Sequence, residues 1–367
     1  MKYRNLAGEN VSVLGFGCMR FPLTSKDAAD IDYEKSAQMI NYAIDNGVNY
    51  FDTTYVYHNE KSEGFLGKAL GDRRKDVFIA TKCPPWVINA EEDFDKVLNE
   101  QLERLGTDYI DFYLMHALDK SRFDNVVLKF NLLDKLKAAK DAGKIRHIGF
   151  SFHDDLETFK RIIDYTDLWE FCQIQLNYIN TEYQAGLEGL EYANKKGLGV
   201  IIMEPLLGGR LANPNKFVRE VLPDTKSSVE WAFDFLWNRK EVCLTLSGMG
   251  EMEQVKSNIG YASSSETGML NSDDLEMLKR AKAQFEKYAF VPCTKCAYCM
   301  PCPFGVDIPK IFELYNASAS QHDMDDEYKK LNTLADKCRK CKACERACPQ
   351  GIKITEELEK AHKRLTQ

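Results

Sequence analysis

Residues 48–58 read V-N-Y-F-D-T-T-Y-V-Y-H, a short apolar run that ends at Asp52 and continues into a polar loop. Seven more short runs of apolar and β-branched residues occur in the first 265 residues. They cover residues 13–16, 77–81, 110–114, 147–150, 171–174, 200–203 and 244–247. Stretches with a helical pattern alternate with them, at residues 34–46, 61–70, 93–104, 126–142, 154–165, 184–196, 226–238 and 251–261. This alternation of strands and helices predicts a parallel sheet.

The number of strand–helix units favours one particular parallel fold. Eight units in about 250 residues are typical of a (β/α)8 TIM barrel. The alternative is an open, doubly wound sheet, but no G-x-G-x-x-G motif follows an early strand. We therefore predict an α/β chain with a TIM barrel over residues 1–265, a connecting helix over 266–289 and a small helical domain over 290–367.

Composition and charge exclude several other classes of protein. The hydrophobic share of 44% is that of an ordinary globular chain. The net charge of −7 comes without a basic stripe, which argues against a nucleic-acid partner. No apolar run reaches the roughly 18 residues of a membrane helix, and the N-terminal M-K-Y-R-N-L-A-G-E-N lacks the apolar segment of a signal peptide. We expect a cytoplasmic protein that does not bind a membrane.

Polar side chains stand where the predicted strands end, which is where TIM barrels place their active sites. Asp52, Lys82 and His116 follow three successive strands, and Tyr57 lies in the loop after Asp52. A phenol with a pKa near 10 is a weak acid, but a neighbouring ammonium lowers that pKa. These four groups could protonate a carbonyl oxygen while a hydride reaches the carbon. Taken singly, each has a simpler explanation as a helix cap, a surface charge or a core histidine.

Seven motifs resemble those of a known family. They are SVLGFGCMRF (12–21), FDTTYVYHNEKSE (51–63), IATK (79–82), DFYLMH (111–116), IGFS (148–151), QIQLNY (173–178) and EPLLGGRL (204–211). With them, residues 1–262 resemble an aldo/keto reductase. The resemblance implies a TIM barrel, a small carbonyl substrate, NADH or NADPH as cofactor, and a catalytic tetrad with Tyr57 as general acid beside Asp52, Lys82 and His116.

The same resemblance implies a set of cofactor contacts. Ser151 and Gln173 match positions that hold the nicotinamide carboxamide. The remaining expected contacts are Met19, Arg20, Met203, Leu206, Gly248, Gly250, Gln254 and Asn258. In the stretch S-G-M-G-E-M-E-Q-V-K-S-N (247–258), Lys256 is the only basic residue and Glu251 and Glu253 lie nearby. Because a 2′-phosphate would meet these acids, we predict no strong preference for NADPH.

The chain also departs from the family pattern near the expected nicotinamide. His58 follows Tyr57 where many members have glycine, and Phe152 follows Ser151 where asparagine is usual. Met203 stands where an aromatic ring often stacks on the nicotinamide, although a thioether can also pack on a ring face. These differences bear on the orientation of the cofactor rather than on the barrel.

The cysteines are distributed unevenly, with eight of the twelve after residue 289. They form two groups, C-T-K-C-A-Y-C-M-P-C-P (293–303) and C-R-K-C-K-A-C-E-R-A-C-P (338–349). The segments that follow, CPFGVDIPKIFE (302–313) and CPQGIKITEELE (348–359), are also similar. The offset is 45 residues for the first three cysteines and 46 for the fourth. An internal duplication explains this pattern.

The spacing of the second group, C-x2-C-x2-C-x3-C-P, is that of bacterial 4Fe–4S ferredoxins, in which the fourth cysteine ligates the other cluster. This predicts one cluster held by Cys293, Cys296, Cys299 and Cys348, and a second held by Cys338, Cys341, Cys344 and Cys302. Two structural zinc ions are the alternative, but zinc sites pair two C-x2-C knuckles and do not use four such cysteines in a row. The segment resembles a dicluster ferredoxin with a helix at 308–316.

Three hypotheses for the function follow, and we favour them in this order. The chain is an NAD(P)H-dependent carbonyl reductase with structural or sensory clusters. Alternatively, the clusters carry electrons from a ferredoxin-like redox partner to a site in the barrel. That arrangement needs a two-electron intermediary such as a flavin, for which the sequence has no fingerprint. In the third hypothesis, the chain is an electron-transfer adaptor with a vestigial reductase site.

Overall fold

The structure is a computed structural model that describes residues 1–319, 321 and 323–367. It begins with an antiparallel hairpin of β1 (Tyr3–Leu6) and β2 (Glu9–Ser12), which the sequence analysis did not predict. Ala7 and Gly8 both have positive φ angles, of 52° and 94°, as a two-residue hairpin turn requires. Leu6 and Val11 are fully buried in one cluster with residues that begin barrel strands. The hairpin therefore covers the amino-terminal end of the barrel.

Eight parallel strands close into a barrel, which confirms the predicted fold and excludes the open sheet. Strands β3 to β9 are neighbours in the order in which they occur in the chain, and β10 closes the barrel by pairing with both β9 and β3. The strands are β3 (Leu14–Gly17), β4 (Tyr50–Asp52), β5 (Phe78–Cys83), β6 (Ile110–Leu118), β7 (Ile145–Phe152), β8 (Phe171–Gln175), β9 (Gly199–Met203) and β10 (Val242–Gly248).

Helices lie between the strands close to the predicted positions. They are α1 (Tyr33–Asp45), α2 (Ser62–Leu70), α3 (Asp93–Leu105), α4 (Lys120–Arg122), α5 (Leu132–Asp141), α6 (Leu156–Tyr165), α7 (Gly186–Lys195), α8 (Lys216–Arg219), α9 (Ser228–Trp237) and α10 (Met252–Ser264). The predicted helix at 126–142 is wrong in its first part. A π-helical segment, Phe123–Leu128, occupies that part, and Asn131 with φ 51° separates it from α5. Asparagine tolerates this left-handed conformation better than most residues.

The chain divides into two compact units. The barrel unit comprises Met1–Leu176, Asn180–Pro205 and Phe233–Met269, and the cysteine-rich unit comprises Asn177–Ile179, Leu206–Ala232 and Leu270–Gln367. The segment that leaves β9 therefore belongs to the same unit as the C-terminal cysteines. The predicted domain boundaries at residues 265 and 289 stay predictions.

The cysteine-rich unit is helical and repeats one pattern. Its C-terminal helices are α11 (Ser272–Tyr288), α12 (Ile308–Ala317), α13 (Met324–Lys329), α14 (Ala343–Ala347) and α15 (Ile354–Leu365). Each cysteine group is followed by a glycine with positive φ, Gly305 or Gly351, and then by α12 or α15. The two glycines are 46 residues apart, and so are the first residues of the two helices. This is the same offset as that between the fourth cysteines, Cys302 and Cys348. The backbone thus carries the duplication that the sequence shows.

Among the described residues, no helix is long and apolar enough to cross a membrane.

Candidate functional site

The structure brings Asp52, Lys82 and His116 to the carboxyl ends of neighbouring strands β4, β5 and β6, and all three side chains are buried. Lys82 Nζ donates hydrogen bonds to Asp52 Oδ1 at 2.7 Å and Oδ2 at 2.8 Å, and to the Thr53 carbonyl at 2.8 Å. These three bonds match the three N–H groups of an ammonium. The Lys82 side chain is therefore held in one orientation.

Tyr57 lies beside this ion pair. Lys82 Nζ is 5.5 Å from the centroid of the Tyr57 ring. Burial raises the pKa of Asp52, and the Lys82 ammonium opposes that rise by its charge and its hydrogen bonds. Since a buried ion without a partner is costly, each of the two groups stabilises the other in the interior. The phenol of Tyr57 thus faces a fixed positive charge.

His116 is the fourth member of the predicted set. Its Nδ1 lies 3.3 Å from Thr54 Oγ1, and Thr54 precedes Tyr57 in the same loop. Burial lowers the pKa of His116 well below its usual value, and the charge of Lys82 lowers it further. The imidazole is therefore neutral at pH 7, so that one ring nitrogen carries a proton and the other does not.

Sequence reasoning missed Trp86, which lies on the short turn Pro85–Val87 just after β5. Its ring centroid is 5.0 Å from that of His116, and the side chain remains 45% exposed. The Arg122 guanidinium lies 5.5 Å from the same ring. An exposed aromatic face beside the tetrad is suited to contact an apolar substrate. The motif C-P-P-W after Lys82 was the available signal.

A buried polar network behind β5 was also missed. Glu63 on α2 accepts hydrogen bonds from Thr81 Oγ1 at 2.6 Å and from Gln101 Nε2 at 2.7 Å, and it is fully buried. Gln101 Nε2 also donates to the Lys82 carbonyl at 3.1 Å. Burial raises the pKa of Glu63, and these hydrogen bonds and Arg104 lower it. The network fixes the backbone that carries Lys82.

The expected nicotinamide contacts of the barrel unit lie at consecutive strand ends. Ser151 on β7 accepts a hydrogen bond from the Ala117 amide at 2.7 Å. Gln173 on β8 has its Nε2 3.6 Å from the sulfur of Met203. Gln173 Oε1 is buried and has no hydrogen-bond partner among the described residues. A buried, unpaired acceptor suits an amide donor, so these residues fit a nicotinamide carboxamide. Leu206, the next expected contact, belongs to the cysteine-rich unit.

The expected phosphate contacts gather around the end of β10. A Cβ on Gly248 would lie 3.1 Å from Arg20 Cγ and Cδ, which places the Arg20 side chain against the glycine. Gln254 Oε1 accepts a hydrogen bond from the Gly250 amide at 2.9 Å, and Asn258 Nδ2 donates to Ser247 Oγ at 3.2 Å. The sequence analysis counted Lys256 as the only basic residue of this stretch, and the fold adds Arg20 to the region. Met19 beside it is half-buried.

Lys256 itself is paired. Its Nζ lies 2.7 Å from Glu253 Oε1 on the same helix, α10. The carboxylate partly offsets the lysine charge, which accords with the acidic surroundings that the sequence indicates.

The four cysteines of the barrel unit are buried, and burial raises the pKa of Cys83 to about 12 and that of Cys18 well above its usual value. Such protonated thiols are poor nucleophiles.

Four cysteines of the cysteine-rich unit surround one cavity. Cys293, Cys296, Cys299 and Cys348 line it. Its other walls include the apolar side chains of Ile308, Phe312, Ile352 and Ile354. Burial raises the pKa of Cys299 to about 12, and Cys296, Cys293 and Cys348 contribute to the rise. The structure therefore brings the fourth cysteine of the second group to the first three cysteines of the first group.

The two cysteine loops have left-handed backbone conformations at equivalent positions. Lys295 and Ala297 in the first group have φ angles of 56° and 63°, and Lys340 and Lys342 in the second have 54° and 60°. The Lys340 amide donates to Cys338 Sγ at 3.4 Å. Loops of this kind turn their N–H groups inward toward anions and iron–sulfur centres. Within the described residues, no three side chains of His, Cys, Asp or Glu lie close enough together to hold a single metal ion.

The second group is less enclosed. Cys341 is exposed, whereas Cys302, Cys338 and Cys344 are half-buried against the apolar core of the unit. Burial raises the pKa of Cys344, and the neighbouring Cys338 raises it further. The donor set in both loops, thiols packed against an apolar core, fits iron–sulfur clusters.

Two family models match the chain. The model of the Aldo/keto reductase family matches residues 13–282, and the model of the 4Fe-4S dicluster domain matches residues 292–352. The chain therefore belongs to the aldo/keto reductase family, and it is an oxidoreductase with a ferredoxin-like dicluster domain after the barrel. This confirms the resemblance that the motifs indicated.

Individual relatives are distant. L-galactose dehydrogenase of Arabidopsis thaliana is 28% identical over 313 residues, which cover 76% of this chain and 92% of that protein. Aldo-keto reductase AKR11C1 from Bacillus halodurans in its holo form has a TM-score of 0.65 at 23% identity, covering 77% of this chain and 96% of that one. An aldo-keto reductase from Klebsiella pneumoniae, solved in complex with NADPH, has a TM-score of 0.62 at 19% identity, covering 76% and 95%. These structures support the barrel fold.

Proposed function

We propose that this protein reduces a small aldehyde or ketone with NADH or NADPH, and that Tyr57 is the general acid. The observation that carries the proposal is the buried Asp52–Lys82 ion pair, whose ammonium faces the Tyr57 ring at 5.5 Å. A cation fixed beside a phenol favours the phenolate and so makes the hydroxyl a better acid. The neutral His116 completes the set on the adjacent strand.

Each residue of the tetrad has a separate role in this proposal. A bound nicotinamide supplies the hydride that reaches the carbonyl carbon. Tyr57 donates its hydroxyl proton to the carbonyl oxygen, and Lys82 stabilises the phenolate that remains. Asp52 keeps Lys82 charged and oriented. In the tautomer with the proton on Nε2, His116 can donate to the substrate oxygen; Thr54 Oγ1 then turns its proton from the Lys82 carbonyl, 3.4 Å away, to His116 Nδ1.

The cofactor contacts support this proposal at two places. Gln173 Oε1, Ser151 Oγ and the Met203 thioether form a partly unsatisfied polar patch suited to the nicotinamide carboxamide. Arg20 beside Gly248 supplies a positive charge where the adenosine phosphates would lie. The NADPH complex of the Klebsiella relative is further support. Met19, Leu206, Gly250, Gln254 and Asn258 remain proposed contacts.

We also propose that the cysteine-rich unit holds two 4Fe–4S clusters. The cavity lined by Cys293, Cys296, Cys299 and Cys348 supports the first, and the matching backbone of the second loop supports a second on Cys338, Cys341, Cys344 and Cys302. Such clusters transfer one electron at a time. A ferredoxin-like protein is the corresponding redox partner.

The decisive experiment compares two tyrosines of the same loop. Protein purified anaerobically is assayed with NADH and NADPH and 4-nitrobenzaldehyde as a probe carbonyl. Tyr57→Phe removes the acidic hydroxyl and should lower kcat at least about 100-fold, since a positioned general acid contributes that much or more. Tyr55→Phe is the matched control, because Tyr55 OH donates to the exposed Glu100 at 2.8 Å, away from the Asp52–Lys82 pair, and the variant should retain activity. Activity that survives in Tyr57→Phe would reject the proposed acid.

One observation supports a second candidate function. The segment that follows β9, Leu206–Ala232, belongs to the same compact unit as the proposed cluster ligands. In this case the clusters feed electrons to a flavin bound in the barrel. Two results would favour it over hydride transfer from a nicotinamide. One is flavin released from the denatured protein, and the other is reduction of the probe carbonyl by dithionite-reduced protein without a nicotinamide.

A further inference from the structure

Arg210 lies near the first cysteine group, and it has no carboxylate partner among the residues that the structure describes. Its Nη1 donates to the Val291 carbonyl at 3.0 Å, two residues before Cys293. The guanidinium carbon stacks 4.6 Å from the centroid of the Phe285 ring on α11. Across the described part of the chain, no ion pair joins Arg210 to an acidic side chain. A half-buried guanidinium of this kind carries an uncompensated charge.

Two glycines explain how Arg210 reaches this place. Gly208 and Gly209 have φ angles of 66° and 93°, and they precede Arg210 in the E-P-L-L-G-G-R-L motif. A Cβ on Gly208 would clash with the carbonyl oxygen of Thr294, which lies between Cys293 and Cys296. The backbone of this segment therefore packs directly on the first cysteine loop, at a distance that only glycine permits.

We propose that Arg210 is the counter-ion of the cluster held by Cys293, Cys296, Cys299 and Cys348, and that it raises the reduction potential of that cluster. The inference rests on the proposed iron–sulfur assignment. Four thiolates make a ligated 4Fe–4S centre an anion, and one-electron reduction makes it more negative. A nearby cation stabilises the reduced form more than the oxidised form, so the potential rises.

The surroundings of Arg210 make its charge effective. Burial lowers the pKa of Arg210 to about 10, so the group is withdrawn from water yet charged at pH 7, and Cys293 opposes that lowering. A charge removed from water acts more strongly at a given distance than one in solvent. Lys295, in the first cysteine loop, differs because it pairs with Glu313 at 3.1 Å.

The test is an anaerobic potentiometric titration of the whole protein, followed by the electron paramagnetic resonance signals of the reduced clusters. Arg210→Gln keeps a donor for the Val291 carbonyl and removes the charge. At a fixed potential it should lower the ratio of reduced to oxidised cluster at least tenfold for one cluster only. For a one-electron couple this is a fall of about 59 mV. Arg210→Lys should stay within threefold of the wild type.

Lys295→Gln is the matched control, because it removes one positive charge from the first cysteine loop at a position that is paired with Glu313. It should shift the ratio less than threefold. The inference is wrong if Arg210→Gln shifts neither cluster, or if Lys295→Gln or Arg210→Lys shifts the ratio as much as Arg210→Gln. If Arg210→Gln fails to assemble the cluster, Arg210→Lys decides. An unchanged reduction potential in Arg210→Lys supports a role for the positive charge, whereas a tenfold shift in the ratio of reduced to oxidised cluster rejects that role. A wild-type protein without iron would instead reject the cluster assignment itself.

Discussion

Replacing Lys82 by methionine tests the ion pair on which the proposed chemistry depends. The substitution keeps the length of the side chain and removes the ammonium that donates to both oxygens of Asp52 and to the Thr53 carbonyl. Asp52 is only 2% exposed. Its carboxylate would therefore be left in the interior without a counter-ion, which is among the most destabilising changes a protein can undergo.

The size of the effect follows from what Asp52 can do in response. Removing one partner of a buried pair costs about 3–5 kcal/mol. The carboxyl group can escape that cost by taking up a proton, which at pH 7 costs about 4 kcal/mol for a group with an unfolded pKa near 3.9. We therefore expect Lys82→Met to lower the free energy of unfolding by about 3–4 kcal/mol at pH 7.

The same reasoning fixes the pH dependence of the variant. In Lys82→Met the folded-state pKa of Asp52 lies above its unfolded value, so the folded state retains a proton that the unfolded state releases. The variant is then most stable below the unfolded pKa of about 4 and loses stability as the pH rises toward the folded pKa. With a slope of about 1.4 kcal/mol per pH unit, the cost of the proton at pH 5 is about 1.5 kcal/mol.

Urea unfolding followed by the fluorescence of the buried Trp169 and Trp237 measures this loss. The matched control is Lys137→Met, which breaks an exposed pair with Asp141 at 2.6 Å and should cost about 0.5 kcal/mol or less. Asp52→Asn combined with Lys82→Met removes both charges of this buried pair and should recover part of the loss. A loss below about 1 kcal/mol at pH 7, or an equal loss at pH 5 and pH 7, would refute the argument.

Three further predictions concern the clusters, the cofactor and the pH profile. Cys348→Ala should remove about half of the iron and one of two cluster signals, whereas the barrel variant Cys243→Ala should keep both; an intact iron content in Cys348→Ala would contradict the assignment. Glu253→Gln removes the carboxylate that lies 2.7 Å from Lys256 Nζ. At low ionic strength it should raise the ratio of kcat/KM for NADPH to that for NADH by roughly 3-fold. An unchanged ratio would speak against this phosphate site. Because burial lowers the pKa of His116 well below its usual value, kcat/KM should show no histidine inflection between pH 6 and 7. An inflection there that disappears in His116→Gln would show that the ring titrates.

Much of the fold could be predicted from the sequence because the signals are local. The apolar run at 110–114 lies inside β6, which extends it to Leu118, and the run at 171–174 corresponds to β8 within one residue. Side-chain periodicity is set by the geometry of each element, so it can be recognised without knowledge of the neighbours. The first hairpin was missed because Ala7-Gly8 is a weaker turn signal than Asn-Gly.

The candidate site divides in the same way. The sequence by itself determined that Asp52, Lys82 and His116 end neighbouring strands, because a parallel barrel places all such ends at one mouth. It also determined the cysteine spacing, since a few residues of backbone limit which thiols can meet. Only the tertiary structure decided that Trp86 lies over His116, that Arg20 packs on Gly248 and that Arg210 reaches Val291, 81 residues away. Such contacts depend on which loops pack together, and packing is a property of the whole chain that no local pattern carries.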